Sequence, residues 1–155
     1  MRGRDIIEVE GIWAMRITPE AGSTKSGQAR IVPLHPHLVE QGLLRVAEQA
    51  GNGPIFYDPA RGRGGAAGNA HYKKVGERLA MWVRDLGVDD AHVQPNHGWR
   101  HLFKTIARRA GIDPEVRDAI LARAPRSVGE AYGDWPIDVL AAAIAILPRY
   151  APQIL

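Results

Sequence analysis

Apolar and polar positions alternate from Ile6 to Thr18, in "IIEVEGIWAMRIT". That period of two predicts a β-strand with Trp13, Met15 and Ile17 on one face and Ala14, Arg16 and Thr18 on the other. A second short strand is expected at 29–34, "ARIVPL", with Pro33 marking an edge or strand end. The turn-rich "PEAGSTKSGQ" between them predicts a β-hairpin with a mobile tip. Beyond it the period lengthens. Residues 36–50 predict a helix with Leu38, Leu43, Val46 and Ala50 near one face. "GNGPIFYDPARGRGGAAGN" is a glycine-rich loop around a short apolar piece, Ile55 to Tyr57. Residues 70–86 predict a second helix with Val75, Leu79, Trp82 and Val83 inward.

A third helix is expected in "PNHGWRHLFKTIARRAGI", Pro95 to Ile112. Trp99, Leu102, Phe103, Ile106 and Ala110 fall at helical spacing and predict the buried face, with Gly111 as the stop. Asp113 is a good N-cap and Pro114 a good first residue for the next helix. Ser127 and Glu130 have capping-box spacing, so a short helix bearing Tyr132 is expected there. Residues 136–147, "PIDVLAAAIAIL", are apolar nearly all round and call for burial on every side, within the chain or against another subunit. The pattern defines an α+β protein, mostly α-helical, with a small antiparallel β-sheet near the N-terminus.

Composition narrows the class. A chain of 155 residues with 45% hydrophobic and 24% charged residues favours one globular domain, 1–155. No apolar run approaches the about 18 residues that mark a transmembrane helix, and no secretory signal core is visible, so no membrane partner and a cytoplasmic location are expected. The absence of cysteine removes disulfides, thiolate nucleophiles and Cys-based zinc sites. A net charge of +3 points only weakly to a polyanionic partner.

The third helix concentrates His97, Arg100, His101, Lys104, Arg108 and Arg109 without a single acid. His97 and Arg100 are three apart and share one side of a helix. A guanidinium grips phosphate oxygens bidentately, and an imidazole moves protons near neutral pH. A helix-capping His97 with a solvated Arg100 is the plainer alternative. A metal site would use His97 and His101 at i and i+4, with His92 nearby. Residue 98 is glycine, so the metalloprotease base is absent, and a dication beside Arg100 and Lys104 without carboxylates is electrostatically poor. No metal or other cofactor is expected.

Three ordered stretches resemble the catalytic domain of the tyrosine recombinases, the phage integrase family. "TKSGQARIVPLHPHL", 24–38, is similar to the family's hairpin, with a lysine at the turn followed by an arginine and a valine-proline-leucine run. "HGWRHLFKTIARRAGIDPEVRDAIL", 97–121, resembles the His-x-x-Arg-His box and its following helices, and "SVGEAYGDW", 127–135, the segment with the nucleophilic tyrosine. The resemblance implies the fold of the DNA breaking-rejoining enzymes. It makes Lys25 the general acid that protonates the leaving 5′ oxygen. His97 becomes a proton shuttle and phosphate ligand, with His101 supporting, and Arg100 clamps the non-bridging oxygens. Tyr132 attacks to form a 3′-phosphotyrosyl bond; Tyr150 does not match the spacing.

Two departures accompany the likeness. Arg123, nine residues before Tyr132, stands where the family's Leu-Gly-His run has its histidine; it is either a phosphate donor or a solvated helix-end cation. The Arg-x-x-Glu box with the family's first arginine is also unmatched, since Arg2 and Arg4 sit too late, and no amino-terminal DNA-clamping domain is visible. A carboxy-terminal fragment, weakly active or inactive alone, is therefore expected. Its expected partners are double-stranded DNA and other recombinase protomers through the last helix, and its location nucleoid-associated. Arg61, Arg63, Lys73, Lys74, Lys104 and Arg108 are candidate DNA backbone contacts or simply a solvated face. A catalytically inactive DNA-binding remnant and a His-based metal-dependent hydrolase remain as alternatives.

Overall fold

The computed structural model describes residues 1–19, 29–61, 71–123 and 135–150. Three strands form one antiparallel sheet in the order β1 (Ile6–Val9), β2 (Ile12–Ile17), β3 (Arg30–Pro33). Among the described residues six α-helices follow: α1 (Pro36–Glu40), α2 (Leu43–Ala50), α3 (His71–Asp85), α4 (Pro95–Arg109), α5 (Pro114–Ile120) and α6 (Ile137–Ala145). The mostly helical α+β expectation holds at this level, and β3 is an edge strand ending at Pro33.

Two elements read as continuous are each divided by a left-handed backbone. The expected strand from Ile6 to Thr18 is a hairpin, because Glu10 (φ 51°) and Gly11 (φ 77°) form a two-residue turn that pairs Val9 with Ile12. Positive φ at both central residues matches the twist of the flanking strands. The helix expected over 36–50 is α1 and α2, parted at Gly42 (φ 90°). Gly111 (φ 73°) terminates α4 as expected, and the Asp113 carboxylate caps α5 by accepting from the Glu115 and Val116 amides.

Register decides the core. Met15 pairs with Val32 and Ile17 with Arg30, so these four residues share one face of the sheet. Val32, Met15 and Ile17 pack with Ala107 and Phe103 of α4, Ile112, Val116 and Ile120 around α5, and Leu140 and Ile144 of α6. Ala14 and Pro33, register partners on the opposite face, are also buried. The inward faces predicted for the helices need correction. Leu38, Val46, Leu79, Trp82, Trp99 and Leu102 are exposed, and Trp13 is at the boundary. Ala47 and Ala107 hold the buried positions instead, because a methyl lets a helix backbone come close to its neighbour. Only Leu140 and Ile144 of α6 are buried, while Val139 and Ile146 face solvent, so the apolar helix is covered on one side rather than all round.

Candidate functional site

The position of α4 is set by its entry. The Arg84 guanidinium donates to the carbonyls of Val88, Asp90 and Val93, and so gathers the loop between α3 and α4. Asn96 donates to the Gly76 carbonyl and pins the first turn of α4 to α3. A cleft of about 460 Å³ opens here, lined by Ala80, Arg84 and residues of the α4 entry through His97; Arg100 does not line it.

His97, Arg100 and His101 occupy consecutive turns of α4 and are all exposed. The His97 and His101 rings meet edge to face with centroids 5.0 Å apart. Among the described residues no carboxylate pairs with Arg100 and no three or more His, Asp or Glu gather to hold a metal ion, so His92 does not join the other two histidines in a ligand set. An unneutralised group of cations and imidazoles suits an anion.

Arg30, the arginine of the hairpin stretch, lies within reach of the charge of Arg100, although spacing gave it no role in the site. It opens β3 beside the segment that carries Lys25. Its guanidinium is held below the ordinary arginine range, first by burial and then by the like charge of Arg100. The buried Nε of Arg30 has no hydrogen-bond partner. The missed signal was the alternation of β3, which puts Arg30 on the face of core residue Val32.

The remaining candidates scatter. Arg123 lies 3.8 Å from the Asp118 carboxylate. Ala122, which stands at the glycine of the family's Leu-Gly-His run, has φ 51°, a left-handed conformation that favours glycine. Arg61 pairs with Asp58 at 3.4 Å. Lys73 and Lys104 are each engaged with neighbours, Lys74 is half-buried, and Arg108 is exposed. Lys25, Arg63 and Tyr132, with the expected capping box at Ser127 and Glu130, lie outside the described residues. Tyr150 is exposed, and its carbonyl lies 2.9 Å from Nε2 of His37. No helix of the described residues is long and apolar enough to cross a membrane.

No protein-family model, curated protein or solved structure matches the chain, so the recombinase likeness rests on the residues themselves.

Proposed function

We propose that the chain carries the catalytic residues of a site-specific DNA recombinase or integrase. It cleaves and rejoins DNA through a 3′-phosphotyrosyl intermediate, in the fold of the DNA breaking-rejoining enzymes. The observation that carries this reading is the acid-free group of His97, Arg100 and His101 on α4, set against the arginine that opens β3. The left-handed Ala122, where the family pattern has glycine, supports it independently of charge.

In the proposed step the Tyr132 phenol oxygen attacks a backbone phosphorus and gives up its proton, with His97 as the shuttle. The bond from phosphorus to the 5′ oxygen breaks, and Lys25 protonates the departing oxygen. Arg100 holds the non-bridging oxygens and neutralises charge that grows in the transition state. One ester replaces another, so rejoining needs no ATP. Double-stranded DNA is the substrate, in the cytoplasm at the nucleoid. Lys73, Lys74, Lys104, Arg108, Arg61 and Arg63 supply backbone contacts that fix register without reading sequence. The exposed side of α6, with Val139 and Ile146, is the proposed contact for a second protomer.

A nicked duplex that traps the covalent product tests the reading. A protein–DNA adduct is expected, indifferent to EDTA and abolished by Tyr132→Phe, and Arg100→Ala should slow its formation by about 100-fold or more. Salt-sensitive binding with no adduct would instead identify a DNA-binding remnant. Cleavage lost on adding EDTA would identify a metal-dependent hydrolase.

A further inference from the structure

The two faces that meet between α4 and the sheet both end in a guanidinium. On the sheet, Val32 and Arg30 are two apart in β3 and point to the same side. On α4, Ala107, Phe103 and Arg100 follow one another at helical spacing. Val32, Ala107 and Phe103 pack in one apolar cluster, with Ile17, the cross-strand partner of Arg30, beside them. One step beyond that cluster each element carries a guanidinium, Arg30 on β3 and Arg100 on α4, near enough for the charge of Arg100 to lower the pKa of Arg30.

Two like charges converging at the edge of a core oppose folding unless something negative joins them. No carboxylate among the described residues pairs with either side chain. Arg30 contributes a buried Nε–H with no acceptor, and an orphaned donor of that kind costs stability in the unliganded protein. Because burial and Arg100 lower its pKa, Arg30 holds its proton less tightly in the folded chain than in the unfolded one. The charged form therefore opposes folding at neutral pH. An anion that accepts from this guanidinium would remove both costs.

We infer that Arg30 is a second guanidinium of the phosphate clamp, binding a phosphodiester oxygen jointly with Arg100 across the seam between β3 and α4. The inference rests on the recombinase reading for its substrate and adds a ligand on the hairpin strand to those on α4. Arg100 reaches the phosphate from an exposed helix face. Arg30 reaches it from a half-buried strand, which fixes the direction of approach.

Dimethyl phosphate is the probe, titrated into the whole chain while the Nε–H NMR signals of Arg30 and Arg100 are followed. Both signals should move on one binding curve. Arg30→Gln should weaken binding by roughly tenfold, the loss expected for one charge-assisted contact, and Arg30→Lys should recover part of it. In the absence of ligand, Arg30→Gln should leave the melting temperature unchanged or raised, since it removes a buried orphaned cation. An Arg30 signal that stays still while that of Arg100 moves would overturn the inference and leave the recombinase reading standing. So would an Arg30→Gln protein that melts lower yet binds the probe normally, which is the pattern of a purely structural arginine. If both signals move but the nicked duplex gives no adduct, the clamp stands and the strand-cleavage reading fails.

Discussion

His35 ties the start of α1 to the segment after α6: its Nε2 lies 3.1 Å from the Leu147 carbonyl, while its Nδ1 accepts from the His37 amide. An acceptor at Nδ1 leaves the proton on Nε2, so one neutral ring caps a helix and donates to a carbonyl more than a hundred residues away in sequence. His35→Ala removes both bonds. A loss of about 1–3 kcal/mol is expected in urea unfolding, the sum of a helix cap and a partly buried hydrogen bond. Limited proteolysis should also show faster cleavage between Leu147 and Tyr150. His35→Asn, which keeps the capping acceptor, should recover the cap's share only.

Gly3 is a steric requirement. A Cβ there would lie 2.0 Å from the Ala47 carbonyl oxygen and 2.6 Å from that of Gly51, both backbone atoms of the region around α2. The short helical turn Gly3–Asp5 packs on α2 at this point, and the Gly3 amide donates to the Gly53 carbonyl at 3.1 Å. Gly3→Ala therefore has to separate the N-terminal turn from α2. About 2–3 kcal/mol of destabilisation is expected, measured by chemical denaturation, at the upper end for an overpacked site. A melting temperature equal to the parent's would show that the two segments do not meet in solution.

Ala122 offers the opposite effect. Its φ of 51° costs an L-residue with a Cβ roughly 1 kcal/mol relative to glycine. Ala122→Gly relieves that strain but gains freedom in the unfolded chain, which offsets part of the benefit. The net expectation is a stabilisation of about 0.5 kcal/mol, read as a small rise in melting temperature. A fall would mean that the backbone at this position is not left-handed.

The parts of the fold that were readable in the sequence are those fixed by local chemistry. Asp113 and Pro114 announce α5, Gly111 ends α4, and Pro33 ends an edge strand, because caps, φ > 0 and a missing N–H act within a few residues. The direction of burial was less readable. Periodicity identifies an apolar stripe on α3 and α4 without saying how much of it a three-stranded sheet can cover, and here Leu79, Trp82, Trp99 and Leu102 are left outside while Ala107 makes the contact. The site divides in the same way. His97 and Arg100 stand out because they are neighbours on one helix. Arg30 lies far from them in sequence and is related to them only through strand register and the core cluster that Val32 shares with Ala107.

Arg123 separates stability from chemistry. Its Nε lies 3.8 Å from the Asp118 carboxylate, and its side chain is 44% exposed, so the pair contributes little to folding. Arg123→Ala should change unfolding free energy by no more than about 0.5 kcal/mol. Its effect on the nicked-duplex reaction should be larger if the proposed recombinase reading holds, about tenfold slower adduct formation, because that reading makes the Arg123 guanidinium a donor to a phosphate oxygen once the substrate's charge competes with Asp118. Asp118→Asn, which removes the competing carboxylate and leaves Arg123 in place, should then preserve or raise the rate. Adduct kinetics untouched by both substitutions would assign Arg123 to Asp118 alone and take it out of the site.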